Sequence, residues 1–263
     1  MRWRRLFAQT AALLTLSAST CLAAPQQEAL DSVNFRQQIG NVIPANLHFT
    51  ASGGESLALH TLAEERPLVL VMSWFDCPHL CPMVLSHLAT ATSKLPFAKA
   101  RYEVAVVSID PEETPSQAQH TRAQLKRQHG DAVSDWHLLT GTRPAIGELA
   151  QAVGFQYAYD AERDRYAHPA GLVIVNPGGT IGRYLFGIRP EPGDLKLALV
   201  EAGEGKLGTP IDQLVLRCYR FDPESGRYNV AVIGTLRWVG GAFLLALAGL
   251  FLWLRRRERA RMT

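Results

Sequence analysis

The sequence predicts an α/β fold in which a mixed sheet is flanked by helices. Residues 68–75 form an almost entirely apolar run, and residues 102–109 are mostly apolar, as in strands that are buried on both faces. Segments of helical length separate such runs, and hairpin patterns occur at both ends of the alternating region. The chain has 263 residues, of which 47% are hydrophobic, so it can bury the core of one globular domain.

The first half of this region contains a hairpin, two strands and a helix. Residues 47–50 and 56–59 alternate around a glycine-containing turn, which predicts an antiparallel pair. The run 68–75 then forms a central strand, residues 82–94 form a helix, and residues 102–109 form a second buried strand.

The second half continues the alternation. Thr114 and Pro115 are typical of the cap and first turn of a helix, and Gly154 is typical of a helix end. The predicted elements are helix 115–129, strand 136–139, helix 143–153, a hairpin of strands 170–176 and 180–186, and helix 191–202.

Both ends of the chain have patterns typical of membrane targeting. Residues 1–24 predict a signal peptide, because three arginines precede a short apolar run and a stretch of small residues that contains Cys21. Residues 25–202 then form the folded α/β domain.

The C-terminal region predicts a membrane anchor. Residues 238–254 carry no charge, which corresponds to about 25 Å of helix at about 1.5 Å per residue. We expect a transmembrane helix over 235–256, a basic cytoplasmic tail over 257–263, and a connector over 203–234 that carries Cys218.

The two terminal segments place the folded domain in the periplasm of a bacterium, tethered to the cytoplasmic membrane. Residues 25–234 hold 18 Lys+Arg against 23 Asp+Glu, a net charge of −5, which excludes the basic surface that nucleic acids require. Removal of Cys21 leaves three cysteines in an oxidising compartment. At least one thiol is therefore free, bound to metal or paired with another molecule.

The motif Cys-Pro-His-Leu-Cys-Pro at residues 77–82 is the strongest indication of function in the sequence. Cys77 and Cys81 follow the first central strand, which is where a thioredoxin-like fold keeps its reactive thiols. If a helix begins near Pro78, the thiols lie about one turn apart and can share a metal ion or form a disulfide, and the helix start favours thiolates. The alternative is a pair of buried structural cysteines.

The spacing of the cysteines favours a soft metal ion over a plain dithiol reductase. Reductases of that kind have two residues between the thiols, whereas three residues leave a looser pair. Two thiolates and an imidazole suit Cu(I) and can also hold Cu(II). We expect the imidazole from His168, whose loop faces the thiol junction in such a sheet, and we take His79 as an accessory or copper-entry residue.

Three sequence blocks together resemble the Sco/SenC family of copper proteins that help assemble cytochrome c oxidase. The blocks are residues 77–82, residues 107–115 (Val-Ser-Ile-Asp-Pro-Glu-Glu-Thr-Pro), and His168 followed by residues 172–179. The resemblance implies a thioredoxin-like fold in which Cys77, Cys81 and His168 bind copper. It further implies that Asp110 is a nearby acidic residue that tunes the site.

Two classes of function follow from these residues. In the first, the protein is a metallochaperone that passes copper, with or without another copper donor upstream, to the copper-bearing subunit of cytochrome oxidase. In the second, it is a thiol-disulfide oxidoreductase with Cys77 and Cys81 as its redox pair. A thiol peroxidase fits less well, because no arginine lies near Cys77 in the sequence. Cys218 is either a contact to a partner or a buried cysteine of the connector.

Overall fold

The computed structural model describes residues 33–78, 80–96, 98–203, 219–222 and 227–230, together with positions 243, 245, 249 and 253. The strands are β1 (His48–Ala51), β2 (Ser56–Ala58), β3 (Leu68–Ser73), β4 (Glu103–Ser108), β5 (His137–Thr140), β6 (Ala158–Asp160), β7 (Arg165–Ala167), β8 (Gly171–Val175), β9 (Ile181–Phe186), β10 (Tyr219–Asp222) and β11 (Arg227–Val230). The helices are α1 (Leu59–Leu62), α2 (Leu80–Ser93), α3 (Pro115–His129), α4 (Arg143–Ala152) and α5 (Pro192–Ala202).

Within these residues, seven strands form one mixed sheet in the order β2-β1-β5-β4-β3-β8-β9. Strands β3, β4 and β5 are parallel to one another. The pairs at the two edges, β1 with β2 and β8 with β9, are antiparallel. The prediction of a mixed α/β sheet of the thioredoxin-like kind with flanking helices is confirmed.

Both faces of the sheet are buried, because successive side chains of a strand point to opposite faces. In β3, Val69 and Val71 belong to a core that also contains residues of α2, α3 and α5, including Leu88. The intervening residues Leu68 and Leu70 belong to a second core with residues of α1 and α4. The strand is therefore apolar from Leu68 to Met72, which is the pattern that predicted its central place.

Helix α2 begins at Leu80, so Cys77 lies in the turn before the helix rather than on its first face. A start near Pro78 would put Pro82 at the fifth helical position, where its missing N–H removes an intrahelical hydrogen bond. With the start at Leu80, Pro82 lies in the first turn, where no such bond is lost. The condition for two thiols on one helical turn, a helix start near Pro78, is therefore not met, because Cys77 precedes α2.

Three further elements differ from the expected ones. Residues 158–167 contain the short hairpin of β6 and β7, which the sequence pattern did not indicate. Strand β2 ends at Ala58 and Leu59 begins α1, so the predicted strand 56–59 is shorter by one residue. The region taken as a connector, 203–234, contains the antiparallel pair of β10 and β11.

No helix in the part of the chain that the structure describes is long and apolar enough to cross a membrane. The predicted signal peptide, the predicted cytoplasmic tail and all but four positions of the predicted transmembrane helix lie outside the described residues. His79 and Cys218 also lie outside them.

Gly154 generates a prediction about stability. Its φ is +62°, and a Cβ at this position would lie 1.8 Å from the carbonyl oxygen of Arg36, which belongs to the N-terminal segment docked on α4. We expect Gly154→Ala to lower the free energy of unfolding by about 3 kcal/mol or more, because backbone strain and a clash add together. Thermal or urea unfolding measures this change.

Gly178 provides the matched control. Its φ is +84°, but a Cβ there meets nothing within 4 Å. Gly178→Ala should therefore cost only the strain of the left-handed conformation, about 1 to 2 kcal/mol. Equal losses in the two variants would contradict the steric argument.

Candidate metal centre

Cys77 and Cys81 lie at the junction between β3 and α2, beyond the carboxyl end of the central strand. Cys77 is in the turn, partly exposed, and its N–H donates to the carbonyl oxygen of Trp74 at 3.4 Å. Cys81 is in the first turn of α2 and is only 2% exposed. Neither of these two cysteines forms a disulfide in this structure. The pair therefore has one accessible sulfur and one buried sulfur.

His168 lies in the loop between β7 and β8, and its ring meets the buried thiol. The distance from His168 Nε2 to Cys81 Sγ is 3.2 Å. His168 Nδ1 is 3.0 Å from the carbonyl oxygen of Pro169, which can only accept, so Nδ1 carries the proton. Nε2 then has a free lone pair, which accepts the S–H of Cys81 and is available to a metal ion.

Burial keeps both partners of this contact neutral. Burial raises the pKa of the Cys81 thiol to about 12. A hydrogen bond from the Trp74 backbone lowers this pKa, whereas the neighbouring Cys77 thiol raises it further. Burial also lowers the pKa of His168, against the hydrogen bond to Pro169. At neutral pH the pair is therefore a thiol that donates to an uncharged imidazole.

The three expected ligands do not form a complete metal site in this structure. Among the described residues, no three histidine, cysteine, aspartate or glutamate side chains are arranged closely enough to hold a metal ion. The structure brings Cys81 to His168 and places the Cys77 thiol in hydrogen-bond contact with Cys81. Two soft sulfur donors and one imidazole nitrogen nevertheless form the donor set that suits copper.

Asp110 is connected to this centre through aromatic side chains. It accepts the hydroxyl proton of Tyr166 at 3.2 Å and the N–H of Glu112 at 2.9 Å. Tyr166 lies two residues before His168 and packs edge-on against Trp74, with 5.7 Å between ring centroids. Asp110 therefore supports the segments that carry the thiols and the imidazole from outside.

Glu113 is a site residue that the sequence analysis missed. Its side chain is buried and accepts the backbone N–H groups of Phe75 at 3.2 Å and of Asp76 at 2.7 Å, as well as the hydroxyl of Ser108. These bonds fasten the turn before Cys77 to the end of β4. No sequence pattern separates Glu113 from its exposed neighbour Glu112, since both follow the same strand.

The ionised form of Glu113 is costly in this position. Burial raises its pKa, and the hydrogen bonds from Ser108, Phe75 and Asp76 offset only part of that effect. Glu113 thus holds the turn in place at an energetic cost.

Comparison with known proteins adds a family match. The SCO1/SenC family model matches residues 43–193, more than half of the chain. No curated protein matches the chain in sequence.

Several solved structures are similar to this one. A putative electron transfer protein from Aquifex aeolicus VF5 is 20% identical, with a TM-score of 0.57, and the alignment covers 64% of this chain and 96% of that one. BsSco, a member of the Sco family of cytochrome c oxidase assembly proteins, is 18% identical, with a TM-score of 0.53 and coverage of 65% and 98%. ScoI from Arabidopsis thaliana with copper bound is 15% identical, with a TM-score of 0.49 and coverage of 68% and 99%. The likeness to the first two shows a shared fold.

The different environments of the two thiols generate a prediction about alkylation. At pH 8 iodoacetamide should modify Cys77 at least ten times faster than Cys81, because a thiol whose pKa is about 12 is only about 10⁻⁴ ionised at that pH and Cys81 is also buried. Raising the pH to 9 should speed the reaction of Cys81 about tenfold, since the thiolate fraction grows tenfold per pH unit below the pKa. Peptide mass spectrometry resolves the two sites, and equal rates would contradict the assigned burial.

Glu113 generates a second prediction. Glu113→Ala removes the acceptor of two backbone N–H groups, so the amides of Phe75 and Asp76 should exchange with deuterium at least tenfold faster. Glu112→Ala is the matched control, because the Glu112 side chain is 83% exposed. Exchange that is unchanged in Glu113→Ala, or equally fast in both variants, would show that the turn does not depend on this carboxylate.

Proposed function

The chain belongs to the SCO1/SenC family, and from this premise we propose that it binds copper for the assembly of a terminal cytochrome oxidase. In this role it delivers copper to the dinuclear copper site of the oxidase, or prepares the thiols of that site. The observation that carries the proposal is the 3.2 Å contact between Cys81 Sγ and His168 Nε2, with the Cys77 thiol beside it. Copper is the cargo of the protein in this role.

We assign Cys77, Cys81 and His168 as the copper ligands. Two thiolates and a neutral imidazole suit Cu(I) and can also hold Cu(II). His168 requires no tautomer change, because Nδ1 is already bonded to Pro169 and Nε2 is the free nitrogen. Copper binding displaces the proton of Cys81, so the affinity for copper rises with pH.

The unequal exposure of the two thiols supports transfer between proteins. The partly exposed Cys77 can exchange with a ligand of the donor or recipient while Cys81 and His168 remain buried. In the same proposal Asp110 is the acidic residue that tunes the site, His79 is an accessory imidazole, and Cys218 is an accessory thiol.

We further propose that the folded domain, residues 25–202, faces the periplasm. This placement rests on the signal-peptide pattern of residues 1–24 and on the uncharged segment with its basic flank that predicts a transmembrane helix over 235–256. The connector over 203–234 then joins the domain to the membrane, and residues 257–263 are cytoplasmic.

A thiol-disulfide oxidoreductase is the second candidate function. The partly exposed Cys77 with the thiol of Cys81 behind it is the arrangement of an attacking and a resolving cysteine. The high pKa of Cys81 opposes this role, because the thiolate is the nucleophile in disulfide exchange.

Copper binding by ligand variants tests the proposal. We expect one copper per chain and a thiolate-to-Cu(II) absorption band that is lost in Cys77→Ser, Cys81→Ser and His168→Ala. Copper affinity should fall at least tenfold in each variant, since each removes one ligand. Elemental analysis and competition with a chelator give the stoichiometry and affinity.

His120→Ala is the control, because His120 is an exposed histidine of α3. It should bind copper as the unchanged protein does. If His168→Ala keeps full copper affinity while the protein reduces disulfides rapidly, the oxidoreductase is the correct function.

A further inference from the structure

A cavity lies beside the candidate metal centre, and apart from Asp110 none of its lining residues has a role in the copper proposal. Its volume is about 370 Å³, and its lining includes Asp110, Arg143, Tyr157, Tyr159, Asp164 and Tyr166. We propose that this cavity binds the cationic head of an arginine or lysine side chain that a partner protein presents. The cation site does not depend on copper binding; only the identity of the partner rests on the proposed function.

Three tyrosines form the aromatic part of the cavity. The ring centroid of Tyr166 is 5.0 Å from that of Tyr159 and 6.0 Å from that of Tyr157. The faces of aromatic rings carry negative potential and attract guanidinium and ammonium groups. Their edges and the walls of the cavity also offer apolar surface to the methylene stem of a long cationic side chain.

Two of the tyrosine hydroxyls are bound to carboxylates. Tyr166 donates to Asp110 at 3.2 Å, and Tyr159 donates to Asp164 at 2.6 Å. Each hydrogen bond uses one lone pair of a carboxylate, and an ionised carboxylate has about four. Asp110 and Asp164 therefore retain acceptor capacity for an incoming cation.

The charges of the lining favour a cation over an anion. Asp110, Glu112 and Asp164 contribute three negative charges, and Arg143 contributes one positive charge. Arg143 is 3.6 Å from Glu112, and both side chains are mostly exposed, so this ion pair is weak. The ion pairs found among the described residues do not include Asp110 or Asp164. An anion that paired with Arg143 would have to lie beside two carboxylates.

The backbone at Asp164 is unusual for a residue other than glycine. Its φ is +50°, in the turn between β6 and β7. Aspartate and asparagine tolerate this left-handed conformation better than other residues. Asp164→Asn therefore removes the charge while it keeps both the backbone conformation and an oxygen that can accept the hydroxyl proton of Tyr159.

The position of the cavity would allow it to orient a partner protein relative to the metal centre. Tyr166 lies two residues before His168, and it packs against Trp74, which precedes Cys77 by three residues. A partner side chain held here would lie against the hairpin of β6 and β7 that leads into the His168 loop. The contact would therefore orient the partner relative to the exposed thiol.

Fluorine NMR of the full-length chain labelled with 3-fluorotyrosine tests this proposal. The probes are N-acetyl-arginine amide and N-acetyl-lysine amide, with N-acetyl-citrulline amide as the neutral counterpart of arginine, all at constant ionic strength. The resonances of Tyr157, Tyr159 and Tyr166, assigned from Tyr→Phe variants, should shift with the cationic probes. The buried Tyr102 and Tyr184 serve as internal controls and should not shift.

Two variants should change the affinity in opposite directions. Asp164→Asn should weaken binding of the arginine probe at least threefold, whereas Arg143→Gln should tighten it at least threefold because a competing cation is removed. Equal shifts with the citrulline probe would overturn the proposal. Binding of N-acetyl-glutamate amide that is lost in Arg143→Gln would overturn it in favour of an anion site.

A free diamine distinguishes the two possible sources of such a cation, which are a side chain of a partner protein and a small free amine. If cadaverine binds more than tenfold tighter than N-acetyl-lysine amide, a small polyamine is the ligand and the protein side chain is excluded. The titration is repeated on Cys81→Ser, which lacks a proposed copper ligand. Copper binding that survives in Cys81→Ser, with an intact cation site, contradicts only the copper proposal. Loss of copper binding in Cys81→Ser, with no cation binding in either protein, contradicts only the cation site.

Discussion

The contact between the buried thiol of Cys81 and the neutral imidazole of His168 is the interaction on which the rest of the centre depends. Burial suppresses the charge of both groups, so the pair satisfies its own polar atoms with one hydrogen bond. A metal ion that replaces the thiol proton supplies the charge that burial otherwise forbids. The same environment that makes Cys81 a poor nucleophile therefore favours it as a ligand, which is why the copper proposal ranks above the oxidoreductase.

The topology of the sheet explains how residues 87 positions apart meet. β3 pairs antiparallel with β8, with Leu70 opposite Val173. Because the two strands run in opposite directions, the end of β3 lies beside the beginning of β8. The turn that carries Cys77 and the loop that carries His168 therefore lie at the same end of these two strands. Because β3 lies between β4 and β8, the backbone topology alone brings the segments that carry Cys77 and His168 together.

The sequence predicted the sheet and the thiol–imidazole pair because both depend on strong patterns. Long apolar runs identify strands that are buried on both faces, and the cysteines follow one of them directly. The hairpin of β6 and β7 escaped prediction because its strands have three residues each and expose much of their surface, so neither carries a clear alternation. The start of α2 depends on where Pro82, which has no N–H, costs no helical hydrogen bond. Glu113 differs from Glu112 only in its burial, which the sequence does not reveal.

The cost of burying Glu113 indicates why the turn before Cys77 has this structure. The hydrogen bonds that it accepts only partly offset its desolvation, so stability alone does not explain an acid at this position. What the carboxylate provides is geometry: one group bonds to Ser108 at the end of β4 and to two consecutive amides of the thiol turn. An apolar side chain would leave both amides unpaired and the turn free to move. The exposed thiol can then exchange ligands while its backbone remains fixed relative to the buried pair, which is the property that transfer of a metal ion between proteins requires.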